Sequence, residues 1–498
     1  MAMYSFYYDE SEHSRKINHR TLISENYYDN FVVAIVGWQE NYGNDLSNRF
    51  HTFEKKYAHR KSKGELKSST IKQEQFQRGF ASLSQSSVEL LDDFLSLFDD
   101  NILIYFSVLS KIEFIIDQLF EGYENSILYD MDAMKYSIVK AIALHQPNEI
   151  IENFYDNSGK LIALLKKFFK KQIEGDEENR QLKEIEIEQY KQIISLLDDV
   201  STIHTIDWDY SIPFLGFRNF VAEKSIGDYS LVIDREGRES NTLKAAKKAG
   251  IFDVSEADSI ESFGIRMADM LVGIISKLMK ALNNALKYRT PQEHMQKKIL
   301  DQSWFTIDEH RLSLYKKLHK VLIDLNKAWY KSFAGRYSDD LVLLVAFLNY
   351  MSAFESSESL RSNLDKQGEI FNVYACESLL EHFHRMENKL PVVFVNNETS
   401  DYYLNRSGAR VYFDTNMQPS LTIENDPRIY NVLSVGLSRD DTPLVTIEDA
   451  NGANCYQLPE SLKNWVRSLV ELAAAGQNLL PAKVIFSKCK SDYYADIL

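Results

Sequence analysis

Four carboxylates stand out in this chain by where they fall. Asp9, with Glu10 beside it, closes an aromatic run that reads as a strand, Tyr4-Ser-Phe-Tyr-Tyr-Asp-Glu. Glu65 precedes a long helical pattern, and Asp234 ends the apolar run Tyr229-Ser-Leu-Val-Ile-Asp, with Glu236 two residues on. Asp269 lies in the opening turns of a helix that follows Gly264. An acid at a strand end is often only a solvated turn residue, and an Asp near a helix N-terminus complements the helix dipole. Asp269 is harder to dismiss: Met267, Ala268, Met270 and Leu271 flank it, and a carboxylate in apolar surroundings is costly unless paired or metal-bound. If the strands ending in Asp9 and Asp234 are neighbours, their ends lie about 4.8 Å apart, and a helix packed on that sheet can turn Asp269 toward both. Carboxylates held so close raise one another's pKa and need a cation to stay ionised. Hard divalent ions meet that need, Mg2+ or Mn2+ best. Carboxylates holding two such metals suit in-line phosphodiester hydrolysis.

The elements expected to position these acids form an α/β core. Phe31-Val-Val-Ala-Ile-Val-Gly-Trp38 is a continuous apolar run of buried-sheet type. Residues 71–98 read as helix, 102–108 as a third strand, 111–199 as helical, and 208–220 as an aromatic loop before the Asp234 strand. The helix from residue 263 to about 288 carries a core-facing stripe of Ile265, Leu271, Ile274, Ile275 and Leu278. Residues 291–388 look all-helical. From 389 to 498 short strand-like runs precede a helix near 462–475, a small α+β module.

Composition narrows the function. Of 498 residues only 19 are glycine and 9 proline, which excludes collagen-like and linker-rich chains and favours long helices. A formal net charge of −15 argues against coating nucleic acid through bulk charge. A local basic groove stays open, lined from the runs at 59–72, 160–171, 244–248 and 277–298, with Trp208, Tyr210, Phe214 and Phe217 available for stacking on unpaired bases. Three scattered cysteines point to a reducing compartment. Acids at 9, 10 and 12 interrupt any signal peptide, and the longest uncharged apolar run falls short of the roughly 20 residues that span a bilayer. A cytoplasmic protein with no membrane partner is expected. Phosphate-binding glycine loops and a Gly-x-Ser-x-Gly elbow are missing from the sequence. A zinc site from Cys376, Glu381, His382 and His384 is weak, since the two histidines point about 200° apart on a helix.

Tyr8-Asp-Glu-Ser11, Gly64-Glu-Leu-Lys-Ser68, Leu231-Val-Ile-Asp-Arg-Glu236 and Gly264-Ile-Arg-Met-Ala-Asp269 together resemble the ordered motifs of a bacterial family catalogued as domain of unknown function 3800, regarded as ribonuclease H-like. The resemblance covers residues 4–288 and implies a ribonuclease H-like mixed sheet over 1–290 with a helical insertion at about 111–225. The helical segment 291–388 and the α+β module 389–498 follow. It further implies Asp9, Glu65, Asp234 and Asp269 as metal ligands, Glu10 and Glu236 as reserves, and Lys67 as a counter-charge for phosphate or the transition state. The chain departs from the pattern with Glu12 in place of a glycine, Arg266 in place of a glutamine, and Ser110-Lys111 in place of Asp-Lys. A serine at 110 implies either a three-ligand site or a chain that keeps the fold without full activity. Arg266, one turn from Asp269, is placed either to neutralise it or to contact a phosphate.

The expectation is therefore a Mg2+- or Mn2+-dependent nuclease acting on DNA or RNA, with antiviral defence as the setting the resemblance implies. The alternative is a catalytically inactive binding or assembly protein acting on a protein partner through its C-terminal region.

Overall fold

In the computed structural model, residues 3–12, 27–123, 130–154, 158–177, 180–200, 211–235, 241–288, 297–387, 402–404, 410–412, 418–424, 427–438, 442–449, 452–474, 477–489 and 492–498 are described. Strand β1 (Tyr4–Ser11) pairs antiparallel with β2 (Asn30–Gln39). Helix α1 (Glu40–Lys56), several 3-10 turns, the short strand β3 (Gln77–Phe80) and helix α2 (Gln85–Leu95) lead to β4 (Leu103–Ser110). The helix expected over 71–98 is thus realised only at α2, whose start Ser84 caps by accepting the Ser87 N–H. Helices α3 (Lys111–Leu119), α4 (Met131–His145), α5 (Asn148–Glu152), α6 (Ser158–Asp176), α7 (Arg180–Asp199) and α8 (Ile212–Glu223) precede β5 (Tyr229–Asp234). Helix α9 (Asn241–Lys248), β6 (Val254–Ala257) and the 24-residue α10 (Phe263–Leu286) complete the acid-bearing part.

The chain falls into two units, Met1–Phe120 with Lys135–Val395, and Glu121–Met134 with Asn396–Leu498. The first is built on a six-stranded mixed sheet in the order β6-β5-β1-β2-β4-β7, where β7 is Ser332–Ala334. Five strands run one way and β2 runs against them. Alternation along β2 sorts its side chains. Val32, Ala34, Val36 and Trp38 enter one core, while Phe31, Val33 and Ile35 enter the other. Burial of each Val, Ile or Phe among them is worth about 1.5–3 kcal/mol.

The first face is covered by α1, α2 and α10, and also by α11 (Glu309–His319), α12 (Asp339–Ser352) and α14 (Gln367–Glu387), the short α13 (Ser357–Arg361) lying between the last two in sequence. Residues 291–388 are therefore not a separate helical segment, because they supply a strand to the sheet and a third of its main core. The second face is covered by α8 and α9. Phe214, Phe217 and Phe220 of α8 are fully buried there, Phe217 edge-on to Phe6 and Phe214 stacked on Tyr8. The expected base-stacking loop is a core helix at these positions, and Trp208 and Tyr210 lie outside the described residues. Near β7, the buried Lys331 ammonium donates to the carbonyls of Val321 (3.1 Å) and Leu325, closing the π-helical turn Lys320–Asp324 that ends α11.

In the second unit, β10 (Arg428–Leu437), β11 (Pro443–Asp449), β12 (Gly452–Gln457), β13 (Ala482–Cys489) and β14 (Asp492–Ile497) form an antiparallel sheet in the order β12-β11-β10-β13-β14, beside a two-stranded pair of β8 (Tyr402–Leu404) and β9 (Arg410–Tyr412). Helix α15 (Lys463–Ala474) buries Val466 and Leu469 against Val432, Val445, Val484 and Phe486. Among the described residues, no helix is long and apolar enough to cross a membrane.

Candidate active site

Strand alternation places the first two acids. Tyr7 packs on the α10 side of the sheet while Phe6 and Tyr8 pack on the other, so Asp9, two residues after Tyr7, belongs to the α10 side. Strands β1 and β5 are parallel neighbours with Tyr8 opposite Ile233. Extending that register by one residue sets Asp234 beside Asp9, facing the same helix. The expectation that these two strands adjoin is met.

Two glycines let α10 close on this edge. A Cβ at Gly264 would sit 2.3 Å from the Tyr7 ring on β1, and a Cβ at Gly273 would sit 2.2 Å from Ser68 Cβ. Asp269 lies between them on the helix, pinned by the loop that Gly273 admits. The Ser68 N–H donates to Asp269 Oδ2 at 2.6 Å and the Ser68 hydroxyl to Oδ1 at 2.8 Å. Lys277, two turns along α10, donates to the Ser68 carbonyl at 3.0 Å, and Gln73 donates to the Lys277 carbonyl at 3.0 Å. The loop is therefore stitched to the helix at three points.

Glu65 comes from the same loop. Ser62 and Glu65 exchange backbone hydrogen bonds (2.9 and 3.2 Å) across Lys63 and Gly64, both at positive φ (52° and 93°). This is the tight turn that favours glycine at its second central position. It delivers Glu65 to the interior at 6% exposure. One carboxylate oxygen, Oε1, lies 2.8 Å from Lys67 Nζ, and the other, Oε2, is buried without a hydrogen-bond partner.

The electrostatics tie the set together. Burial pushes Asp9 well above the ordinary carboxylate range, the charges of Asp269, Glu10 and Asp234 push it further, and the Glu10 N–H pulls it back. Asp269 is raised by burial, against the Ser68 hydrogen bonds and the charges of Lys277 and Lys67. Burial likewise raises Asp234, with the Arg235 N–H and Lys67 opposing it. Burial alone would lower the Lys67 ammonium, but its hydrogen bond to Glu65 and the charges of Glu65, Asp234 and Asp269 hold it above its usual value. Lys67 therefore answers to three of the four acids.

No family model, curated protein or solved structure matches this chain.

As the side chains stand, no group of three or more His, Cys, Asp or Glu among the described residues is arranged to hold a metal ion. The donor set nevertheless suits a hard divalent cation: all four groups are carboxylates, Asp9, Asp234 and Asp269 are partly buried, and Glu65 Oε2 is an acceptor nine-tenths buried with nothing to accept from. What currently stands among them is the Lys67 ammonium.

The other expected participants are placed elsewhere. Glu10 falls on the opposite side of β1, where its carboxylate accepts from the Tyr8 hydroxyl at 2.5 Å, so it is not a ligand on the α10 side. Glu236 lies outside the described residues. Arg266 neither neutralises Asp269 nor faces the cluster. It forms a bidentate ion pair with Glu54 (2.7 and 3.0 Å) and donates to the Ser259 and Ile260 carbonyls (2.6 and 2.8 Å). Glu12 pairs with Lys280 at 3.1 Å. Ser110 pairs in register with Asn30, four residues along β4 from Phe106, which lies opposite Ala34 and hence level with Asp9. There it caps α3 and hydrogen-bonds Asp29, so an acid at 110 is not needed to complete the Asp9 cluster.

Two expected basic runs are partly spent on neighbours, Lys166 on Asp198 and Lys167 on Glu149 in one, and Lys277 and Lys280 in the other as described above. His382 hydrogen-bonds Ser338 at 2.9 Å inside the first unit, and the His384 side chain is outside the described residues. Ser68 and Gly273 carry no site role in the sequence reading, and Lys277 figures there only as the start of a basic run. Ser68 is adjacent to the Glu-Leu-Lys motif, which is the one signal that could have found it.

Proposed function

We propose that this chain is a divalent-metal-dependent nuclease of ribonuclease H-like fold that hydrolyses phosphodiester bonds. The observation that carries the reading is the convergence of Asp9, Asp234 and Asp269 on one side of the sheet with a buried, unpartnered Glu65 oxygen beside them. A mixed sheet with acids at the carboxyl ends of two adjacent parallel strands, and a third on a helix closed against them, supports the fold assignment and the family resemblance.

Asp9, Asp234 and Asp269 would supply oxygen donors for Mg2+ or Mn2+. A bound ion would contribute Lewis acidity at the phosphoryl oxygens and a lowered pKa for water. The chain's own part is positional and electrostatic. Ser68 fixes the Asp269 carboxylate in one orientation, Glu65 Oε2 would complete the ion's shell, and Lys67 sets a positive charge where negative charge develops. In such a hydrolysis the water oxygen would add to phosphorus as one P–O ester bond breaks. The water proton passes to a carboxylate, and the leaving oxygen takes a proton from solvent.

A specific observation also favours the inactive binding protein: the Lys67–Glu65 ion pair already neutralises part of the cluster without metal. Thermal unfolding of wild type, Asp9→Asn and Asp269→Asn in EDTA, Mg2+ and Mn2+ separates the two readings. The nuclease should gain about 2.7 kcal/mol at a metal concentration 100 times its Kd. Both variants should lose that gain and all cleavage, while in EDTA they unfold no earlier than wild type because a buried like charge is gone. In Asp269→Asn the Ser68 hydroxyl can turn to accept from the amide that replaces the carboxylate. Full cleavage by either variant, or a metal shift unchanged in both, would overturn the assignment.

A further inference from the structure

Asp9, Glu65, Asp234 and Asp269 bring four negative charges to one side of the sheet, and the chain itself supplies part of their balance. Lys67 Nζ is 2.8 Å from Glu65 Oε1. Lys277, held to the Ser68 carbonyl at 3.0 Å, sets its charge against Asp269 from further along the same helix. With all six groups ionised, as a bound cation would favour for the acids, four carboxylates less two ammonium groups leave two negative charges, which one divalent ion would balance.

We propose that the site takes a single Mg2+ or Mn2+ ion and that the Lys67 ammonium fills the place a second ion would occupy. The proposal rests on the nuclease reading above and replaces the two-metal chemistry expected from the sequence with one metal and a tethered cation.

Three features argue that Lys67 stays when the ion arrives. Glu65 is divided between two partners: Oε1 is on the ammonium, and Oε2, buried and unpartnered, is left for the other cation. A carboxylate that bridges two metals shares its oxygens in the same way. Next, Lys67 is not on a free arm. Its neighbour Ser68 is bonded through both backbone and side chain to Asp269, and a Cβ at Gly273 would collide with it, so the segment that carries Lys67 is seated on α10. Finally, the ammonium answers electrostatically to Glu65, Asp234 and Asp269 together, and a second divalent ion would have to displace it against all three. The Lys67 side chain is 41% exposed and Asp9, Asp234 and Asp269 are partly exposed beside the buried Glu65, so a phosphodiester can reach both the ammonium and an ion on the acids from solvent.

The test counts ions on the full chain without substrate. Mn2+ binding is measured by equilibrium dialysis, with electron paramagnetic resonance to detect a spin-coupled pair, on wild type, Lys67→Met and Lys67→Arg. One Mn2+ per chain with an uncoupled spectrum is expected for wild type and for Lys67→Arg, which keeps the charge. Lys67→Met should bind two, with a coupled signal. Two ions on wild type would overturn the proposal and leave the nuclease reading standing, and this result does not depend on either variant folding. A folded Lys67→Met chain that still binds one ion would also overturn it. An ion bound by Lys67→Met and none by wild type would show that the ammonium excludes metal, and would overturn it too. No Mn2+ on any of the three would sink both this inference and the nuclease reading.

Discussion

Arg266 and Glu54 are 212 residues apart and form a buried ion pair beneath the start of α10, with 5% and 3% of their side chains exposed. Arg266→Met would leave the Glu54 carboxylate buried with only Lys61, 3.4 Å from Oε2, for compensation. Removing one partner of a buried pair costs about 3–5 kcal/mol. The carbonyls of Ser259 and Ile260 also lose their donors, at about 1 kcal/mol each, whereas Lys61 recovers part of the first term. A net loss of about 4 kcal/mol is expected for Arg266→Met.

The double variant Glu54→Leu with Arg266→Met removes both charges and should lose only about 1–2 kcal/mol, the share of the two carbonyls. A double-mutant cycle by urea unfolding should therefore return a coupling of at least about 2 kcal/mol. Mn2+ stabilisation should be unchanged in the double variant, because the pair does not touch the acid cluster. The argument fails if Arg266→Met costs under about 1 kcal/mol, or if the double variant is no more stable than the single one. It also fails if Arg266→Met keeps its stability and loses the Mn2+ effect, for then the guanidinium acts on the acids after all.

Two further outcomes follow from the same contacts. Gly273→Ala places a methyl 2.2 Å from Ser68 Cβ, so the loop must lift from α10. A loss of about 1–3 kcal/mol together with weakened Mn2+ binding is expected in calorimetric titration, and unchanged binding would show that the loop does not orient Asp269. Burial lowers the Lys331 ammonium to about 7 from its usual 10.5. The unfolded chain then binds more protons between those values, so this residue makes stability rise with pH from about 7 to 10.5. Lys331→Met should remove that slope, worth a few kcal/mol at roughly 1.4 kcal/mol per pKa unit. Parallel stability–pH curves for the two proteins would contradict it.

Where a continuous apolar run carries its own signal, the sequence is a good guide: β2, β5 and α10 lie within a residue or two of their expected bounds. The acids at their ends could be named for the same reason, since strand alternation carries them to one side once β1 and β5 adjoin. What could not be read depends on distant partners. Residues 71–83 look helical by periodicity, yet Phe80 stacks on Tyr315 and Gly79 takes φ of +55° beneath the same tyrosine, contacts made 235 residues away. Arg266 looked like a site residue because Glu54 is remote in sequence. Phe214, Phe217 and Phe220 are different: their three-residue spacing was a helical signal, overridden by their aromatic and loop-like setting.

The lateness of β7 has a consequence for how the protein is made. The acid-bearing helix ends its buried run at Leu282, but the same core is not closed until Phe371 has joined it. At translation rates of about 5–20 residues per second, the roughly 90 intervening residues take about 4–18 s to appear. Until residue 334 is made β4 has no partner on its outer edge, and the apolar side of α10 gains α11, α12 and α14 only one after another across the interval. The nascent chain must therefore carry an open strand edge and exposed core surface, the features that recruit chaperones and seed aggregation. Production of this protein should be governed less by its final stability than by how that interval is protected.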